Sequence, residues 1–127
     1  MITEADILLL HEFSIIDYGG AVGVRDRNLL LSAIGRPYQT FDGKGLYSSP
    51  LEKAAALGES LIINHPFLDG NKRTAFLAMW ALLKEYGIEL EVSNDDLYHF
   101  IISMSTGESN YEDIVAWLSS KINRATQ

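Results

Sequence analysis

The chain contains no cysteine among its 127 residues. Disulfide bridges and thiolate metal sites are therefore excluded, and the composition fits a protein of the reducing cytosol. Internal repeats, low-complexity tracts and linker-like segments are missing as well. With 47% hydrophobic and 21% charged residues, the sequence is typical of an ordinary globular protein. We therefore expect one domain that spans residues 1–127.

Long apolar runs and clusters of positive charge are also absent. No apolar run approaches the ~20 residues of a membrane-spanning helix. The N-terminal segment carries Glu4 and Asp6, whereas a secretory signal begins with basic residues. The net charge is −7 and no basic run is longer than Lys72-Arg73, which disfavours nucleic acid as a partner. We expect a cytoplasmic protein that binds neither membranes nor nucleic acid and uses this basic pair to hold a local anion.

Helix start and stop signals predict about six helices and little or no sheet. Capping residues such as Ser49, followed by Pro50 at the first helical position, mark the starts. Arg36-Pro37 is expected to end the second helix, because the residue before a proline avoids the helical region. The predicted helices cover residues 3–18, 26–35, 49–64, 70–86, 93–105 and 109–122, with Ser109 as the N-cap of the last.

The segment of residues 38–48 has no helical pattern. It contains two glycines among isolated apolar residues and is interpreted as a loop or flap, with a β-hairpin as the less supported alternative. Its aromatic residues Phe41 and Tyr47 either pack inward or form part of a flap that aligns a target segment.

The most informative segment is a short loop between the third and fourth predicted helices. It reads His65-Pro66-Phe67-Leu68-Asp69-Gly70-Asn71-Lys72-Arg73. Gly70 permits a positive φ angle or a close approach to a ligand. After it, the backbone N–H groups of residues 71–73 have no intrahelical partner, and the helix dipole adds partial positive charge. This junction predicts a phosphate site. Lys72 would attract the phosphate through its charge, and Arg73 would donate two hydrogen bonds to its oxygens.

Two further side chains in this loop supply reactive groups. The neutral imidazole of His65 can accept a proton from a hydroxyl, as a general base does. Asp69 beside bound phosphates is a natural Mg²⁺ ligand, because proteins usually hold magnesium through one or two carboxylates and substrate oxygens. Each feature alone has an ordinary structural explanation, such as a helix end, a turn or a solvated surface. Their combination in nine consecutive positions indicates transfer of a phosphate-containing group.

These nine residues, with Thr74 and Ala75 after them, resemble the signature of the Fic/Doc family, which is histidine-x-phenylalanine-x-acid-glycine or alanine-asparagine-x-arginine. The likeness is gapless and extends over nearly the whole chain, where further segments look like the short, Doc-type (death-on-curing) branch. Those segments are Tyr18-Gly19-Gly20, Arg25-Asp26, Ser32-Ala33-Ile34-Gly35-Arg36-Pro37, Leu46-Tyr47 and Glu52-Lys53-Ala54-Ala55-Ala56. The resemblance implies a compact all-α fold of about six helices, with the motif loop between two central helices.

The resemblance also implies roles for the motif residues. His65 would deprotonate a hydroxyl of the target protein, and Asp69 would hold Mg²⁺. The phosphates of ATP would be oriented by the side chain of Asn71 and by nearby backbone N–H groups. The nucleotide site would comprise Gly70, Asn71, Lys72 and Arg73.

The resemblance further implies an activity. Doc-type members are toxins of toxin–antitoxin pairs that stop growth by modifying a translation elongation factor. Adenylylating members typically have glycine where Lys72 stands and a second arginine where Phe76 stands. We therefore expect transfer of the terminal phosphate of ATP to a Ser or Thr hydroxyl of a protein target. Two alternatives stay open: transfer of AMP by the same motif, since Pro66 and Gly70 follow the broad family pattern, and a catalytically silent helical binding module.

Inhibition by a segment of the chain itself is not expected. Many adenylylating relatives carry a helix with a serine or threonine four residues before a glutamate that precedes glycine or asparagine. The nearest approach here is Ser48 with Glu52, but Lys53 follows. An antitoxin segment that folds on binding is therefore expected in trans. The isolated His11 and His99 are expected to be structural, because neither has a partner at metal-ligand spacing.

Overall fold

A computed structural model of the chain describes residues 1–107 and 110–123. Within these ranges the chain forms six α-helices and one very small antiparallel sheet. The helices are α1 Glu4–Tyr18, α2 Arg27–Gly35, α3 Pro50–Asn64, α4 Asn71–Glu85, α5 Asn94–Ser105 and α6 Tyr111–Ser120, and the strands are β1 Thr40–Phe41 and β2 Lys44–Gly45. The predicted all-α class, the number of helices and the position of the motif loop between α3 and α4 are confirmed.

Helices α3 and α4 form the centre of the fold. The alanines of α3 and the apolar face of α4 are fully buried against each other, and α1, α2 and α6 pack around this pair. Small side chains on α3 allow the close approach, since a Cβ atom at Gly58 would collide with the side chain of Met79. This close packing of α3 against α4 holds the α3–α4 loop on a rigid support. None of the described helices is long and apolar enough to cross a bilayer.

Local capping chemistry explains where most helices begin. The side chains of Thr3, Asp26, Ser49 and Ser93 each accept a hydrogen bond from a backbone N–H in the first turn of their helix. This arrangement satisfies donors that have no intrahelical acceptor. The last helix is capped by Asn110, whose side chain accepts from the N–H of Asp113. The N-cap predicted at Ser109 lies outside the described residues.

The backbone conformation at the end of α2 differs from the predicted one. Arg36 has φ −56° and ψ −44°, which is helical, so the expectation that the proline forces it out of this region is wrong. The chain continues into a 3₁₀ turn over Arg36–Tyr38, closed by the Gln39 N–H on the Arg36 carbonyl at 3.2 Å. Pro37 fits near the start of such a turn because no hydrogen bond from its nitrogen is required there.

Within the segment of residues 38–48, residues 40–45 form a small hairpin, which was the less supported prediction. Asp42 and Gly43 both have positive φ angles, 53° and 77°, as a two-residue hairpin turn requires. The Asp-Gly pair was the local signal for this turn. Phe41 is 76% exposed, whereas the Tyr47 hydroxyl accepts a hydrogen bond from Nε of Arg36 at 2.9 Å. Of the two predicted alternatives, inward packing is therefore confirmed for Tyr47, whereas it is wrong for Phe41.

Candidate functional site

A cleft lies where the α3–α4 loop enters α4. Its walls include all six residues predicted to act in catalysis, nucleotide binding or metal binding, and α5 adds Ile101 and Ser105 on the other side. The loop residues that line it are His65, Leu68, Asp69, Gly70, Asn71, Lys72 and Arg73. The fold thus brings an imidazole, a carboxylate and two cationic side chains to one concave surface.

The start of α4 presents free backbone donors to this cleft. Gly70 caps the helix in the left-handed conformation, with φ 75°. The first bond of the helix ladder runs from the N–H of Thr74 to the Gly70 carbonyl at 3.0 Å. Among the described residues, the N–H groups of residues 71–73 have no backbone acceptor. Together with the helix dipole, these donors make the junction suitable for an anion.

The two cationic side chains at this junction have no acidic partner. Among the described residues, the recorded ion pairs involve other cations, such as Arg27 with Glu4, and neither Lys72 nor Arg73. The Arg73 guanidinium instead lies over the ring of Tyr18, with Cζ 3.7 Å from the ring centroid. Within residues 1–107 and 110–123, no carboxylate therefore forms an ion pair with either cation of the cleft.

The backbone of His65 is held in an unusual conformation. This residue is the C-cap of α3 and has φ 50° and ψ 54°, a left-handed conformation that few non-glycine residues adopt. Arg25 holds the end of α3, donating from Nε to the His65 carbonyl at 2.7 Å and from Nη2 to the Asn64 carbonyl at 2.9 Å. This cation at a helix C-terminus turns the chain so that the imidazole is exposed at the cleft.

Loss of this clamp is expected to affect both stability and catalysis. Arg25→Ala removes two charge-assisted hydrogen bonds to the end of α3, which we expect to lower the free energy of unfolding by about 1 kcal/mol. Turnover should fall as well, because His65 loses part of its support. Urea denaturation and initial rates measure the two effects. Lys44→Ala, at an exposed cation of β2, is the control; equal losses in both variants would contradict a specific clamp.

The shape of the loop is fixed by Asn71 and by a pairing with the segment before α2. Asn71 is only 4% exposed, and its side-chain amide both accepts from the Phe67 N–H at 2.9 Å and donates to the Phe67 carbonyl at 3.0 Å. On the outer side, Val24 pairs with Phe67 in an antiparallel bridge. The side chain of Asn71 is thus engaged within the loop, while its backbone N–H faces the anion junction.

Helix α1 contacts the loop through the side chain of His11. This imidazole is 3% exposed and stacks on the Phe67 ring, with centroids 3.9 Å apart and planes inclined by 6°. Its Nε2 lies 2.8 Å from the Asp69 carbonyl oxygen, which identifies Nε2–H as the donor. The predicted structural role of His11 is therefore confirmed, and that role is to hold the motif loop.

The carboxylate of Asp69 is oriented by backbone donors. Oδ1 accepts from the Gly70 N–H at 2.9 Å and Oδ2 from the Ala21 N–H at 3.3 Å. In the described part of the chain no group of three acidic, histidine or cysteine side chains could hold a metal ion. A cation at Asp69 would therefore take its remaining ligands from phosphate oxygens and water, which is the usual arrangement for Mg²⁺.

Several residues of the site were not identified from sequence. Arg25, His11 and Tyr18 reach the motif from segments that are 40 or more residues away in the chain. No local pattern distinguishes such side chains from ordinary surface or core residues. The resemblance included the segment around Tyr18 without giving it a role; the physical signal in it is Gly20, which has no room for a Cβ atom beside the Asp69 carboxylate.

Comparison with known proteins gives two matches. The profile of the Fic/DOC family matches residues 1–83. A curated protein named Toxin Doc, from Mycolicibacterium smegmatis, is 45% identical over 80 residues, which cover 63% of this chain and 62% of that protein. The match thus spans less than two-thirds of the relative's length.

Proposed function

Because the chain belongs to the Fic/Doc family, we propose that it is a Doc-type toxin that transfers the terminal phosphate of ATP to a Ser or Thr hydroxyl of a protein target. The target class that we propose is a translation elongation factor. Residues 1–127 would act as a single Fic/Doc domain. The likeness to Toxin Doc supports this choice within the family.

The observation that carries the proposal is the cleft at the start of α4. One surface combines unpartnered backbone N–H groups, the unneutralised Lys72 and Arg73, the carboxylate of Asp69 and the exposed imidazole of His65. A phosphate group bound at the helix start would lie beside a base and beside a possible cation ligand. This set of groups suits transfer of a phosphate-containing group to a hydroxyl.

In the proposed step one proton is transferred, one bond forms and one bond breaks. The His65 imidazole takes the proton of the target hydroxyl, whose oxygen forms a bond to the γ-phosphorus of ATP. The bond from that phosphorus to the oxygen bridging the β- and γ-phosphates breaks, and ADP leaves. Arg73 and the N–H groups of residues 71–73 would stabilise the charge on the phosphate oxygens. The side chain of Asn71 would act by holding the loop in shape.

Asp69 is the proposed metal-binding residue. Its backbone-held carboxylate would bind Mg²⁺ together with phosphate oxygens, and the cation would reduce the negative charge of the nucleotide. The residues present fit this role, because a single oriented carboxylate is sufficient when the substrate supplies the other ligands.

The residue at position 76 supports phosphate transfer over AMP transfer. Phe76 is 8% exposed and packs against Phe100 and Trp117, with centroid distances of 6.4 Å and 6.1 Å. It therefore offers no second cation for a nucleotide, where adenylylating relatives typically have arginine. Lys72 lines the cleft where those relatives have glycine, which adds a charge suited to a terminal phosphate.

Label transfer from ATP tests the proposed reaction. Purified protein is added to a bacterial lysate with ATP labelled at either the α- or the γ-phosphate, in parallel. We expect a γ-labelled protein band of elongation-factor size and no α-labelled band. An α-labelled band would establish adenylyl transfer instead. If neither label is transferred, the catalytic proposal fails and a binding module becomes the better explanation.

An antitoxin acting in trans is part of the same proposal. The name Toxin Doc implies such a partner for that relative. We propose that a separate protein segment inhibits this chain by folding against it. Co-expression of a partner protein that binds this chain should relieve growth arrest, and full arrest despite stable co-expression and binding would contradict this part.

A further inference from the structure

The contact between Tyr18 and Arg73 joins the last residue of α1 to the first turn of α4. The guanidinium carbon lies 3.7 Å from the centroid of the tyrosine ring, a distance typical of a close cation–π stack. The ring itself is 58% exposed. Tyr18 therefore covers one face of the guanidinium without being part of the core.

In the described part of the chain, no other group fixes the guanidinium of Arg73. Within the described residues it makes no ion pair, and its Nε is buried without a hydrogen-bond partner. Arg73 also lines a second groove, together with Tyr18 itself and with Tyr98 and Ile101 of α5. The side chain of Arg73 thus stands between the cleft and this groove, and among the described residues the ring of Tyr18 is the contact that fixes its guanidinium.

Arg36 shows the contrasting arrangement in the same protein. Its guanidinium also lies near aromatic rings, 5.5 Å and 5.8 Å from the centroids of Tyr47 and Tyr111. Its donors, however, are used by Glu59 at 2.8 Å and by Ser60 at 3.0 Å. Arg36 is therefore a structural cation whose charge is neutralised, whereas Arg73 is held by a ring alone.

A ring can orient an arginine without competing with a phosphate. Stacking uses the face of the guanidinium, and the N–H donors lie along its edge. A carboxylate partner would occupy these donors and cancel the charge. The arrangement at Tyr18 leaves the positive charge and the terminal Nη donors of Arg73 available to an anion in the cleft.

We propose that Tyr18 is a positioning residue that holds the Arg73 guanidinium in the orientation that binds the phosphates of ATP. This inference rests on the proposed function, since it assigns the anion to a nucleotide. The ring acts through its face, so its hydroxyl is not needed. The contribution falls on nucleotide binding and not on the proton transfer at His65.

Two substitutions at this position and one elsewhere test the inference. We expect Tyr18→Leu to raise the KM for ATP by about three- to ten-fold with a smaller fall in kcat, because it removes the cation–π contact that orients Arg73. Tyr18→Phe should behave as the wild-type protein. Tyr86→Leu is the control, because Tyr86 is a half-exposed tyrosine at the opposite end of α4.

A spectroscopic readout makes the outcome independent of activity. The Nε–H resonance of Arg73 should shift upfield through the ring current in the wild-type protein and in Tyr18→Phe, and lose this shift in Tyr18→Leu. An unchanged KM in Tyr18→Leu, together with an Arg73 resonance that keeps its wild-type position, would overturn the inference, as would equal losses in the Phe and Leu variants. If the wild-type protein binds no ATP, the proposed function fails, while the resonance still decides whether Tyr18 orients Arg73.

Discussion

Replacing His65 with alanine is expected to lower phosphate transfer by about 10²–10⁴-fold, the usual contribution of a placed general base. Nucleotide affinity should change little, because the imidazole would act on the target hydroxyl and not on ATP. Since His65 has a left-handed backbone, alanine also introduces local strain. His65→Asn is therefore a better variant, as asparagine tolerates this conformation.

The measurements are initial rates of transfer and the Kd for ATP by calorimetry. His99→Ala provides the control, because this exposed histidine on α5 hydrogen-bonds to the Asp95 carbonyl of its own helix and does not line the cleft. Transfer at the wild-type rate by both His65 variants would rule out the general-base role. Loss of ATP binding together with transfer would indicate a role in the nucleotide site instead.

Replacing Arg73 with alanine is expected to weaken ATP binding by about ten- to a hundred-fold. This estimate corresponds to the loss of one charge-assisted hydrogen bond, which contributes roughly 1.5–3 kcal/mol. Transfer should fall at least in proportion, because the same bond would stabilise the phosphate in the transition state. Arg73→Lys should be intermediate, since lysine keeps the charge but lacks the bidentate geometry.

Lys84→Ala is the matched control for this experiment. Lys84 lies on the same helix near its other end, where its ammonium lies over the ring of Trp80 at 4.8 Å. Calorimetry with ATP and the full set of variants measures the effect. Unchanged affinity in Arg73→Ala would mean that the phosphates bind elsewhere, and the anion junction at the start of α4 would have to be abandoned.

Most of the helical framework could be predicted from sequence because its determinants are local. Ser49 before Pro50 marks the start of α3, and the residues after them supply an apolar, alanine-rich face. The errors concern backbone geometry that depends on a few residues. The Asp42-Gly43 pair selects a hairpin turn, and Arg36 stays helical before a proline because the chain continues as a 3₁₀ turn.

The candidate site was predictable only in its contiguous part. His65, Asp69 and Arg73 follow one another in the loop and at the start of α4, so the sequence indicated their common location. Their supports come from other elements, since Arg25 and His11 reach the loop through tertiary packing. Such contacts depend on how α1 and the segment before α2 dock, which helical periodicity does not specify.

The cleft and the tyrosine that supports it come from distant parts of the chain, and this has a consequence during protein synthesis. Tyr18 belongs to α1, the phosphate junction to residues 70–73, and Ser105 to the last residue of α5. A ribosome releases these elements in that order, at about 5–20 residues per second. Every nascent chain that stops before α5 lacks one wall of the site. An enzyme proposed to arrest translation would thus stay inactive for most of its own translation.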